Sequence, residues 1–182
     1  PAGGKNFPWG YGVRQVSGAD QARKAAREII KQGADRLVVY ADPPMRFFPD
    51  PEQTAGERLC FDLDELKEIV TQASQAGCFV HAQAISARAI EVCVRAGVRS
   101  IGCAYQLKTE QFQLLKDHGV ALAPNLALGA TAMEVGPSVG MSQATIEMVA
   151  AQRIPAQLLL QAWDYGIEIV CATNAAFTQG DM

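Results

Sequence analysis

The run Gly77-Cys78-Phe79-Val80-His81-Ala82-Gln83-Ala84-Ile85-Ser86-Ala87-Arg88-Ala89-Ile90-Glu91-Val92-Cys93-Val94-Arg95-Ala96-Gly97-Val98-Arg99-Ser100-Ile101-Gly102-Cys103 reads as strand, helix, glycine and strand again. Cys78 to Ala84 is short and apolar enough to be a strand buried in a parallel sheet. Ala87 to Ala96 carries its apolar residues at helical spacing and stops at Gly97, which supplies the left-handed turn into Val98 to Cys103. The same unit recurs on both sides. Ala19 to Gln32, after an Asp20 cap signal, stops at Gly33 before the strand Arg36 to Ala41, and Leu63 to Ala76 stops at Gly77. Thr109 to His118 stops at Gly119 before Val120 to Ala123, and one long helix from about Thr145 to Tyr165 stops at Gly166 before Ile167 to Ala172. Five helix-glycine-strand units in one direction imply right-handed crossovers and an α/β fold of parallel βα repeats.

Two longer connections interrupt the rhythm. Asp42 to Phe61 holds four prolines and the pair Phe47-Phe48, and Asn125 to Ser142 holds Gly129, Gly136, Pro137 and Gly140. Both follow the C-terminal end of a strand, where α/β folds carry their binding loops, so the site is expected there.

The 182 residues suit one domain, here 1–182 as a single α/β unit, and 49% hydrophobic with 19% charged residues excludes a disordered or fibrous chain. A net charge of −3 with no basic cluster argues against nucleic acid as a partner. No apolar run reaches the roughly 18 residues of a membrane span, and the N-terminus has no signal-peptide pattern. Five cysteines without a C-x-x-C pair suit a reducing compartment, and the expectation is a cytoplasmic protein. With Pro1 in place of an initiator Met, the sequence reads as a processed product or a segment of something longer.

Several stretches in order resemble the amidohydrolase superfamily, in its imidazolonepropionase and Xaa-Pro dipeptidase-like branch. They are Gly33-Ala34-Asp35-Arg36-Leu37, Asp64-Glu65-Leu66-Lys67-Glu68-Ile69-Val70 to Gly77, Ala96-Gly97-Val98-Arg99-Ser100-Ile101, Gly119-Val120-Ala121-Leu122-Ala123-Pro124-Asn125-Leu126, and Gly166-Ile167-Glu168-Ile169-Val170-Cys171-Ala172-Thr173-Asn174. The resemblance implies part of a TIM-like (β/α)8 barrel, with one or two divalent metals at the strand ends generating a hydroxide that attacks an amide carbonyl. It also places Val38 where the family has a metal-binding lysine, Gln83 and Cys103 at two histidine positions, and Asn174 at an aspartate. Valine offers no oxygen, glutamine is a weak neutral ligand, and asparagine takes no proton from water. No metal and no cofactor are therefore expected.

The expected site comprises His81, Cys103 and Asn174 as catalytic candidates, with Gln83, Tyr105, Asn125 and Thr173 lining a pocket. His81 falls two residues before Gln83 on the same strand face, deeper than the site, and reads first as a buried imidazole with a hydrogen-bond partner. Cys103 reads first as a small filler of a vacated metal pocket and second as a nucleophile based on His81. His118 reads as a charge at a helix end, Lys5 as a faint match to a family Gly-Gly-His stretch, Gln106 as a loop polar residue, and Arg46 with Phe47 and Phe48 as a lid or as packing under a loop.

Three functions follow, in order: a non-hydrolytic binding or assembly subunit; a metal-independent cyclase, isomerase or lyase reusing the pocket; and a metal-dependent amide or cyclic-amide hydrolase with an altered site. The expected partners are a small-molecule ligand and either a second copy or a complementary chain completing the barrel, with no nucleic acid and no membrane.

Overall fold

The computed structural model describes residues 14–42, 59–151 and 153–172. Lys5, Arg46, Phe47, Phe48, Thr173 and Asn174 lie outside them.

Four short strands, β1 (Arg36–Tyr40), β2 (Phe79–Ala84), β3 (Ser100–Cys103) and β4 (Ala121–Ala123), form one parallel sheet in the order β1-β2-β3-β4. Helices α1 (Ala19–Lys31), α2 (Leu63–Gln75), α3 (Ala87–Ala96) and α4 (Phe112–Asp117) precede or connect them, so neighbours in sequence are neighbours in space. The α/β class and the parallel βα repeat are as the sequence implies.

Register divides the side chains between two faces. Val38 pairs with His81 and His81 with Ser100, which pairs with Ala121; Tyr40 pairs with Gln83, Gln83 with Gly102, and Gly102 with Ala123. The alternate residues Leu37, Val39, Val80, Ala82, Ile101 and Leu122 turn to the opposite side, where Leu66, Ile90, Val94 and Leu115 of the helices bury them. All of these are at most 6% exposed. The other face stays open at Val38 and Phe79, 49% and 43% exposed, as the inner wall of an unclosed barrel would be.

Helix entry is fixed chemically. Asp62 and Glu65 form a reciprocal capping box at the start of α2, each carboxylate accepting the other's backbone N–H at 2.8 Å. Arg23 of α1 pairs with Glu68 of α2 at 2.7 Å and ties the two helices side by side.

Four sequence expectations need correction. Gly18, not Asp20, is the N-cap of α1; Asp20 lies in the first turn and pairs with Arg23 at 3.2 Å. The helix expected over Thr145 to Tyr165 is two helices, α6 (Gln143–Ala151) and α7 (Ala156–Tyr165), because Pro155 lacks an N–H and drives Ile154 out of helical geometry; its carbonyl instead accepts from Leu158 and Leu159. The connection Asn125 to Ser142 holds a helix, α5 (Ala127–Val135), and a 3₁₀ turn. Gly129, read as a loop signal, is a helix-packing residue, since a Cβ there would sit 3.1 Å from the Ala150 Cα of α6. Finally, the fifth strand is reduced to two isolated parallel bridges, Leu122 with Ile169 and Asn125 with Ala172.

Candidate functional site

Polar groups collect on the open face, at the C-terminal ends of β1, β2 and β3. His81 Nδ1 lies 2.8 Å from Ser100 Oγ, and His81 Nε2 lies 3.3 Å from Gln83 Nε2. The amide nitrogen only donates, so His81 accepts through Nε2, and its ring proton sits on Nδ1 and donates to Ser100. Burial, helped by the nearby Arg36 charge, holds the His81 pKa below its ordinary value and keeps the ring neutral, as this tautomer requires. The Cys103 thiol donates to Gln83 Oε1 at 2.9 Å, and the Tyr105 side chain lies close enough to the sulfur to influence it. A continuous chain thus runs Ser100, His81, Gln83, Cys103.

Gly102 makes this chain sterically feasible. A Cβ at that position would lie 2.8 Å from both Gln83 Oε1 and His81 Nε2, so both side chains lie across β3 at its one bare residue. A glycine inside a strand often marks such a close approach, and that signal was present in the sequence and unread.

Cys103 itself is held unusually. Its φ is 66°, that of Ala104 is 50°, and the Ala104 N–H bonds back to the Gly102 carbonyl at 2.9 Å, closing a three-residue turn around Cys103. Left-handed backbone at a non-glycine residue costs on the order of 1–3 kcal/mol and persists only where the surroundings impose it. Strand alternation would point Cys103 toward the helices with Ala84, its register partner. The turn instead delivers the sulfur to Gln83.

His81, Cys103, Tyr105 and Tyr40 are held neutral near pH 7. Burial is the main cause that pushes the Cys103 thiol up to about 11, with the Asp42 charge adding to it and the nearby Tyr105 side chain opposing. Burial also raises Tyr105 and, less strongly, Tyr40. A protonated thiol with no free base beside it is a poor nucleophile.

Asp42, expected only as the start of a loop, is a second overlooked residue. It is 5% exposed, and its carboxylate accepts from Ile85 N at 3.0 and 3.2 Å and from Ser86 N at 2.7 Å. Ser86 in turn caps α3 by accepting from Ala89 N at 3.1 Å. Asp42 thereby ties the end of β1 to the loop that leaves β2.

The structure therefore brings together His81, Gln83, Cys103 and Tyr105. Asn125 is buried at the end of β4, where its backbone bridges Ala172. His118 is exposed at the end of α4 with Nδ1 3.0 Å from the Leu114 carbonyl, apart from the site.

No protein-family model matches the chain, and no curated protein matches it. Solved structures do. A prolidase complexed with N-methylphosphonate-L-proline is 25% identical with a TM-score of 0.73, over 87% of this chain and 38% of that one. A protein described as an amidohydrolase is 26% identical with a TM-score of 0.72, over 88% of this chain and 38% of that one. The chain is similar to structures of the amidohydrolase superfamily. A Xaa-Pro dipeptidase with methionine bound in its active site, 22% identical with a TM-score of 0.73, shares the fold over 94% of this chain and 43% of that one. The chain spans about two fifths of the length of the structures it matches.

The superfamily's metal can be tested against the donors present. Val38 has none, the Gln83 carbonyl oxygen is taken by a thiol, and Cys103 is protonated and hydrogen-bonded. No group of three or more His, Cys, Asp or Glu that would hold a metal ion occurs among the described residues. These residues do not fit the family's metal. No helix among the described residues is long and apolar enough to cross a membrane.

Proposed function

We propose that this amidohydrolase-like chain is a non-hydrolytic binding or assembly subunit. One observation carries the reading: the two positions aligned with histidine ligands, Gln83 and Cys103, are neutral and hydrogen-bonded to each other at 2.9 Å. What remains at the strand ends is a set of uncharged donors and acceptors, His81, Gln83, Cys103 and Tyr105. Such groups suit a small polar molecule better than the activation of water. Asn125, buried at the end of β4, belongs to the proposed pocket.

The reading is tested by metal content and turnover together. After dialysis, the purified protein is expected to hold well under one equivalent of zinc, manganese, cobalt or iron, and to leave Xaa-Pro dipeptides intact with each metal added back. Stoichiometric metal lost on Cys103→Ser would overturn it.

The metal-independent enzyme is a second reading, favoured by the left-handed turn at Cys103, since such strain clusters at functional sites. Against it, Cys103 is held as the thiol and His81 Nε2 is committed to Gln83, so neither group is poised as nucleophile or base. A hydrolase with an altered metal site has no ligand set among the described residues to support it.

Assembly is tested separately. β1 lies at the sheet's edge, and Val38 and Phe79 expose apolar surface on the open face. Sedimentation is expected to give a dimer or a complex with a complementary chain. A monodisperse monomer with one cooperative thermal transition would count against it.

A further inference from the structure

We propose that Gln83, Cys103 and Gly102 form a metal-replacing clasp, in which hydrogen bonds hold the C-terminal ends of β2 and β3 together and Gly102 is the positioning residue. The proposal rests on the reading of Gln83 and Cys103 as replaced ligands, but not on any bound molecule. Three observations converge on it. The Cys103 backbone turns left-handed and places its sulfur against Gln83 Oε1, although alternation would send the side chain to the other face. The amide's other end meets His81 Nε2, and His81 is anchored on Ser100, so the clasp runs along the β2–β3 ladder from the His81–Ser100 pair past the Gln83–Gly102 pair to Cys103. And the side chains cross β3 only because Gly102 has no Cβ.

The members are interdependent in a way ordinary packing is not. A side chain at residue 102 costs stability because it displaces Gln83 and His81, so once the Gln83 side chain is gone the same substitution meets less resistance. A strained turn at Cys103 is likewise sustained by the bond its thiol makes.

The test is a thermodynamic cycle on Gly102→Ala and Gln83→Ala, each alone and combined, read by urea unfolding with and without excess zinc or EDTA. The penalty of Gly102→Ala is expected to shrink clearly in the Gln83→Ala background. Wild-type midpoints are expected to be the same with zinc and with EDTA. A second measurement reports on the clasp in the folded state: alkylation of Cys103 by iodoacetamide, followed on its own peptide by mass spectrometry. Gly102→Ala and Gln83→Met are expected to speed it at least several-fold, while Ile69→Val, equally folded and remote from the clasp, leaves it unchanged. If the alanine variants fold poorly, Gln83→Met, which keeps the side chain's length without its bonds, carries the alkylation test alone. Strict additivity in the cycle, or unchanged alkylation in a folded Gln83→Met protein, would overturn the clasp. A wild-type midpoint raised by zinc would instead overturn the metal-free reading beneath it, so the two failures are distinguishable.

Discussion

Between pH 9 and pH 12 the protein is expected to lose stability steeply, and Cys93→Ala with Cys103→Ala is expected to remove much of that loss. Burial is the leading cause at both thiols: Cys93, within α3, is pushed up to about 12 and Cys103 to about 11, from an ordinary value near 9. The Asp42 charge raises both further. A group whose pKa is higher folded than unfolded contributes its full stabilisation below the unfolded value. The contribution drains away as pH rises toward the folded value, because the unfolded chain releases its proton first. At ~1.4 kcal/mol per tenfold change, the two thiols together account for roughly 5 to 7 kcal/mol lost by pH 12. Tyr40 and Tyr105, also raised by burial, act in the same direction. Urea midpoints at half-unit steps from pH 7.5 measure it. A flat profile to pH 11 in the wild type, or the same slope in the double variant, would contradict the burial of these thiols.

Much of the architecture was legible because the repeating unit carries its own punctuation. Gly97 and Gly166 end their helices at φ of 90° and 93°, a conformation that any other residue adopts only at a cost, so helix ends and strand starts could be read directly. That Gln83 and Cys103 end neighbouring strands followed from the family resemblance and strand order, but the direction of the Cys103 side chain did not. What escaped depended on tertiary contact. Gly129 looks like a loop residue in sequence because nothing local announces that Ala150 will pack against it. The two-residue left-handed turn at Cys103 and Ala104 has no glycine to announce it, and it decides which way the thiol points. Pro155 is different: the break it imposes on the helix was available in the sequence, and helical periodicity on both sides concealed it.

Asp42→Ala is expected to be among the most damaging single changes at the site, costing about 3 to 4 kcal/mol. The carboxylate is 5% exposed and serves two backbone N–H groups, those of Ile85 and Ser86, with Ser86 1% exposed. Alanine leaves both donors without their acceptor where water reaches poorly, and each unsatisfied buried group costs on the order of 1–3 kcal/mol. Asp42→Asn separates acceptor count from charge. Its carbonyl can still take one N–H, but its NH₂ then faces the other donor, so about half the loss is expected. Urea unfolding with an unchanged slope measures both, and a loss below about 1 kcal/mol for alanine would show that Ile85 and Ser86 find other partners. The consequence reaches the candidate site. Asp42's negative charge is one cause of the raised Cys103 pKa, so neutralising it is expected to speed Cys103 alkylation at pH 9, while burial, the larger cause, keeps the thiol well above its ordinary range. A residue that reads in sequence as the first of a proline-rich loop thus both fastens the β2–α3 turn and helps keep the neighbouring thiol protonated.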